Sequence, residues 1–248
     1  FGWPAIHTRL RAGIAKEETP KTDNLFIDVG ADDRAGVERL GIQVGDVITY
    51  PDELTVLNGN KYVGRALDNR MGGFMIAQVA RLLRENEVEL PFSLYLVNSV
   101  QEEVGLNGAQ MISRTIVPDA AIVTDVTHDT STPMIDAKVE GDIKCGAGPV
   151  ISRAPAVQNN LRALILQAAR KNEIPYQLAA HSRSTGTDTD AFAFSGKGIA
   201  SALISLPLRY MHTTVEMVAR EDVENTIRLI YQSLLEIPCG EDFRYIKL

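Results

Sequence analysis

Four acidic residues and one histidine stand where a side chain could meet a ligand: Asp68, the pair Glu102 and Glu103, Asp125, and His212. The glutamates directly follow the apolar run Phe92–Val100 (FSLYLVNSV), and Asp125 lies near the end of Asp119–Val126 (DAAIVTDV). His212 closes Pro207-Leu208-Arg209-Tyr210-Met211-His212, which follows Ala202–Leu206, and Asp68 follows Gly64-Arg65-Ala66-Leu67 at the start of a helical pattern. Ligands of open α/β sheets collect beyond the carboxyl ends of the strands, so these positions converge on one sheet edge. Carboxylate and imidazole donors suit zinc, cobalt or manganese, and the cysteine spacing offers no zinc knuckle. Two adjacent glutamates can then divide the work, one holding metal and the other acting as general base on an activated water. Read singly, most have plainer uses: Asp68 as a helix N-cap, Glu102-Glu103 as a solvated turn, His212 as a hydrogen-bonded core residue. Asp125 resists such a reading, because a carboxylate inside an apolar strand is costly unless it is paired or binds a metal.

The elements that must position these side chains follow from periodicity. Apolar Met71, Met75, Val79 and Leu82 predict an amphipathic helix over Asn69–Glu85. Further helices are expected at Gly108–Ile116, Val157–Asn172 and Asp222–Leu235, with buried strands at Phe92–Val100, Asp119–Val126 and Ala202–Leu206. Apolar strands alternating with helices imply a mixed, largely parallel sheet with helices on both faces. The first sixty or so residues read differently. They offer short candidate strands at Leu25–Val29, Asp46–Tyr50 and Glu53–Leu57, a short helix at Ala35–Leu40, and turn signals, which together suggest a small β-rich module.

Composition narrows the classes of function. A chain of 248 residues with 45% apolar and 23% charged residues can bury a core and is not disordered. Its net charge of −7 argues against a nucleic-acid partner, and no apolar stretch is long enough to span a bilayer. Cys145 and Cys239, far apart in the chain, fit a reducing compartment, with one disulfide between them as the alternative. Phe1 is followed by no signal-peptide pattern.

Five motifs, taken in order, carry a resemblance: Gly64-Arg65-Ala66-Leu67-Asp68-Asn69-Arg70; Gln101-Glu102-Glu103-Val104-Gly105 with Gly108-Ala109; Thr124-Asp125-Val126-Thr127; Thr185-Gly186-Thr187-Asp188; and Ile204 through His212. Together they resemble the tetrahedral aminopeptidases, also called deblocking or glutamyl aminopeptidases, some of which carry an older endoglucanase label. The resemblance implies an α/β catalytic domain of the zinc-aminopeptidase kind, interrupted by a β-rich domain. Residues 1–62 would be the later part of that insertion and residues 63–248 the catalytic domain. It also implies two divalent metal ions (zinc, cobalt or manganese) bridged by Asp68, with Glu103 and His212 on one, Asp125 on the other, and Glu102 as general base. Peptide substrates, a cytoplasmic location and dimer-based homo-oligomers up to dodecamers are implied as well.

Members of that family carry a further metal-binding histidine in an N-terminal segment, and this sequence begins after that point. Of the other histidines, His7, His128 and His181, none lies in a matching motif, though His128 follows Asp125 closely and His181 precedes Thr187-Asp188, which would place either near the site. Two competing readings remain. A glycoside hydrolase would use two carboxylates and no metal, leaving Asp68, Asp125 and His212 without a task. A non-catalytic scaffold follows if the histidine is absent from the protein. Asp188 or Asp190 would meet the substrate's α-ammonium, shape the first side-chain pocket, or hold a turn. Arg209 would steady a metal-binding carboxylate or pair with a structural acid.

Overall fold

The computed structural model of the protein describes residues 25–245. The chain divides into two compact units, residues 1–51 and 52–248. In the described part of the first, helix α1 (Arg34–Arg39) is capped by Asp33, whose carboxylate accepts from the Gly36 N–H at 2.7 Å. The strand expected at Leu25–Val29 reduces to a single bridge at Phe26, and Asp46–Tyr50 forms no ladder.

The second unit carries the sheet. In chain order its elements are β1 (Thr55–Leu57), β2 (Lys61–Gly64), α2 (Leu67–Glu85), α3 (Asn107–Thr115), β3 (Ala120–His128), α4 (Ala137–Glu140) and β4 (Val150–Arg153). Then follow α5 (Asn159–Lys171), β5 (Gln177–Ala180), α6 (Asp188–Ala193), β6 (Ala200–Arg209), β7 (Glu216–Ala219) and α7 (Arg220–Glu236). The seven strands form one mixed sheet in the order β1-β2-β7-β6-β4-β5, with β3 paired to β6. The longest ladder is parallel and runs nine positions from Ala120↔Ala200 to His128↔Leu208. β4 and β5 are also parallel, whereas β1–β2, β2–β7, β4–β6 and β6–β7 are antiparallel.

Alternation along β3 and β6 decides the layers. Ala202, Ile204, Leu206 and Leu208 of β6, with Ala120, Ile122 and Val126 of β3, join the main core of Met75, Val79, Leu161, Ile165, Val223 and Ile230 from α2, α5 and α7. Ala121 and Val123 belong instead to a second cluster with Ala109, Phe192 and Ile199, under α3 and α6. Both faces are therefore covered by helices, which explains why eight of the ten residues of β6 are buried. Asp125, an odd-numbered residue of β3 like Ala121 and Val123, shares the face of α6.

One expected strand is absent. Phe92–Val100 has the composition of a buried strand but forms no ladder, and Tyr95 and Val100 are 63% and 64% exposed. A strand is stable only against a partner strand or a covered face, and among the described residues none pairs with this run. Its end is nevertheless fixed. The Gly108 N–H donates to the Val100 carbonyl at 2.9 Å, and a Cβ at Gly108 would lie 2.4 Å from that oxygen, so glycine alone lets α3 start there.

Candidate metal centre

Asp68 owes its freedom to its neighbour. Ala66 takes a left-handed conformation (φ 53°), and Asp68 and Asn69 depart from helical geometry, so the regular helix α2 begins after them. Asn69 then caps it: its Oδ1 accepts from the Gly72 N–H at 2.7 Å, and its Nδ2 donates to the Thr124 carbonyl at 2.9 Å and to Asp125 Oδ1 at 3.3 Å. A Cβ at Gly72 would sit 2.7 Å from the Asn69 side chain, so this cap requires glycine. The capping expected of Asp68 read alone thus falls to Asn69, which also ties the start of α2 to the strand that carries Asp125.

The glutamate pair sits in a tight turn. Gly105 N and Leu106 N donate to the Glu102 carbonyl at 3.1 and 3.0 Å, and Gln101, at φ 59°, reverses the chain just before it. His212 is likewise at positive φ, 62°, in the turn between β6 and β7. Its backbone N–H donates to Glu216 Oε1 at 2.7 Å, while Glu216 Oε2 accepts from the backbone N–H of Asp68 at 3.0 Å. Asp125 Oδ1 also accepts from its neighbour's N–H at Val126, at 2.8 Å.

These turns bring three of the expected residues together. His212 Nε2 lies 3.1 Å from Asp68 Oδ2 and 3.4 Å from Glu103 Oε2. One ligand atom from each of Asp68, Glu103 and His212 lies within 4.8 Å of the other two, the spacing of a shared cation, and no other such group occurs among the described residues. One imidazole nitrogen and two carboxylate oxygens from three separate elements form a donor set that fits a divalent ion. Asp125 and Glu102 lie outside this group, as do His128 and His181; His7 falls outside the described residues. His181 is 3.5 Å from Ser152 Oγ and its N–H bonds the Arg153 carbonyl, which ties it to β4.

The electrostatics favour a cation. Burial, then the charges of Glu103 and Glu216, push the Asp68 carboxyl up to about 6, against the opposing pull of His212. Burial and the neighbouring Glu103, Asp188 and Asp68 push Glu102 to about 7. Asp125 rises to about 8, chiefly by burial, with the Val126 hydrogen bond opposing and Glu102, Asp68 and Asp188 adding to the rise. These folded-state values lie above those of an unfolded chain. The stability they contribute is therefore complete below about pH 4 and is lost as the pH rises through about 6 to 8. The metal-free protein is expected to be less stable at pH 8 than at pH 5, and a divalent ion to restore that stability. Thermal melts at pH 5 and pH 8, with chelator and with zinc, check this; a metal-free protein more stable at pH 8 would contradict it.

The remaining candidates separate. Asp190 holds its loop, accepting from the N–H groups of Thr185 and Gly186 at 2.9 and 3.0 Å. Asp188, 8% exposed, takes a hydrogen bond from the Ser99 hydroxyl through Oδ2, and its Oδ1 has no partner among the described residues. Arg209 pairs with a structural acid: its Nε donates to Asp129 Oδ2 at 2.7 Å and its Nη2 to Ser131 Oγ at 2.6 Å. Burial works to raise the Asp129 carboxyl, but hydrogen bonds from Ser131, Arg209 and Cys145 outweigh it and hold the group at about 2. Both cysteines are free.

Sequence reasoning missed Glu216 and Asn69. Glu216 carried a usable signal, an acid opening the apolar strand Glu-Met-Val-Ala, the same anomaly that marked Asp125.

A family profile described as M42 glutamyl aminopeptidase matches residues 2–229. A lysyl aminopeptidase from Pyrococcus furiosus is 36% identical over 224 residues, covering 90% of this chain and 62% of the relative. Among solved structures, an aminopeptidase from the archaeon Desulfurococcus kamchatkensis aligns with a TM-score of 0.80 at 32% identity, covering 89% of this chain and 62% of that one. The TET1 peptidase of Pyrococcus horikoshii, which can assemble into a tetrahedron or a large octahedral shell, aligns with a TM-score of 0.68 at 26% identity, over 83% of this chain and 59% of its own. The chain thus spans about three fifths of the length of the proteins it matches.

Proposed function

The chain belongs to the M42 glutamyl aminopeptidase family, and from that premise we propose that it works as a metal-dependent aminopeptidase, removing residues from the N-termini of peptides. The observation that carries this reading is the convergence of Asp68, Glu103 and His212 on one cation-sized space. In this reading the centre holds two divalent ions (zinc, cobalt or manganese). Asp68 would serve both, Glu103 and His212 would hold one, and Asp125 would hold the other. When bound, the ions polarise the scissile carbonyl and lower the pKa of water.

The chain's own residues do the rest. Glu102, adjacent in sequence to Glu103 but outside the ligand cluster, takes a proton from the attacking water and delivers it to the leaving amine. Asn69 keeps Asp125 aligned with the start of α2. Asp188 offers a buried carboxylate oxygen to the substrate's α-ammonium, a role supported by its unpartnered Oδ1 and by its influence on Glu102 and Asp125. Residues 1–51 are assigned to the later part of the inserted domain and residues 52–248 to the catalytic domain, because β1 and β2, at 55–64, belong to its sheet. A closed homo-oligomer built from dimers, up to a dodecamer, and a cytoplasmic location complete the proposal. Such a shell would admit peptides and exclude folded proteins. Among the described residues no helix is long and apolar enough to cross a membrane.

Digestion of a peptide of mixed sequence, followed by mass spectrometry, tests the activity. Stepwise loss of single residues from the N-terminus is expected. Internal cleavage, or no cleavage with zinc, cobalt or manganese supplied, would contradict it.

A further inference from the structure

Glu216 is 2% exposed, and its two carboxylate oxygens hold two different loops. Oε2 accepts from the backbone N–H of Asp68 at 3.0 Å and Oε1 from the backbone N–H of His212 at 2.7 Å. Asp68 and His212 are 144 residues apart in sequence, by subtraction of their positions, yet their side chains meet at 3.1 Å. The carboxylate sits at the start of β7, where Glu216 pairs with Gly64 of β2, the strand that leads into the Asp68 turn.

We infer that Glu216 is a positioning residue of the metal centre, clamping the Asp68 and His212 turns so that their side chains share one cation. This rests on the proposal that Asp68 and His212 are ligands. Glu216 touches neither donor atom by any hydrogen bond of its own; it acts through the two backbones.

Its residue type is informative. Both groups that face it are N–H donors, and a carboxylate accepts at both oxygens, whereas an amide accepts at only one. Both turns also hold strained conformations: His212 lies at φ 62°, and Asp68 follows the left-handed Ala66 at φ 53°. A charge-assisted hydrogen bond at each is a means of holding them there. The choice of a charged group has an electrostatic drawback, since Glu216 adds repulsion to a pocket already crowded with carboxylates. A bound cation would offset it.

The test uses the full-length protein and two variants, Glu216→Gln and Glu216→Asp. Gln removes one acceptor while keeping length, and Asp keeps the charge but is one methylene too short to span both turns. Cobalt(II) affinity, the visible spectrum of the cobalt form and the melting temperature of the chelator-treated protein are measured for each. Both variants are expected to bind cobalt about 10- to 100-fold more weakly, as for loss of a residue that orients a ligand, with a changed visible spectrum. Variants with wild-type cobalt affinity and spectrum, whatever their melting temperature, would overturn the inference and leave the parent reading intact. If the wild-type protein itself bound no cobalt, both would fall. Should Glu216→Gln not fold, Glu216→Asp alone decides, since it preserves the buried charge.

Discussion

Asparagine in place of Asp68 is expected to lower turnover by about a thousandfold or more, well beyond the 10- to 100-fold that follows loss of a residue supporting a ligand. The substitution keeps shape and removes the negative charge from the donor atom that lies nearest His212 Nε2. The backbone N–H that bonds Glu216 stays in place, and Asn69 still caps α2, so the fold is retained. Metal content should fall with activity. Stability should move the other way: Asp68 is held up to about 6 by burial and by Glu103 and Glu216, and removing its charge relieves that repulsion in the metal-free protein. Each 1 kcal/mol gained corresponds to roughly 2 to 4 °C in melting temperature for a domain of this size. Kinetics, elemental analysis and melts with chelator present check the three parts. A variant that keeps its metal and its turnover would contradict the ligand assignment.

Glutamine in place of Glu102 is expected to give the second large loss, about 10²- to 10⁴-fold in kcat, with metal content unchanged. The amide fills the same space but cannot take a proton. In the metal-free protein burial and the neighbouring Glu103, Asp188 and Asp68 push the Glu102 carboxyl to about 7. Bound cations act against that rise, since a nearby positive charge favours the carboxylate. The acid limb of the wild-type profile of kcat/KM should therefore fall below pH 7 and disappear in the variant. Unchanged turnover would remove Glu102 from the chemistry. A parallel loss of metal would recast it as a ligand.

The contrast between these two glutamate and aspartate roles shows how much of the molecule is legible in its sequence. Helices α2, α3, α5 and α7 and strands β3 and β6 follow from apolar periodicity, to within a few residues at their ends. The approximate site was legible for a related reason: a strand's end and a helix's start are local features, and His212 and Asp68 stand at such places, while Glu103, in the turn that leads into α3, meets them although the strand expected before it does not form. Pairings across the chain were not legible. Arg209 binds Asp129, 80 residues away, and Glu216 binds Asp68, 148 residues away, and nothing in a local pattern encodes either partner. Phe92–Val100 fails for another reason. Composition gives a segment the capacity to be a strand, but a ladder needs a neighbour. The short strands β2, β4, β5 and β7, four residues each, are too brief for a periodicity of two to stand out.

The most direct test of the central claim joins metal content to activity in one titration. The full-length protein is stripped with chelator, and hydrolysis of aminoacyl-p-nitroanilides is followed as zinc, cobalt or manganese is returned. The account predicts no turnover in the stripped protein, and activity that returns with the metal and saturates near two ions per chain. Turnover that survives complete stripping would contradict it, as would a protein that takes up metal at Asp68, Glu103 and His212 and hydrolyses nothing.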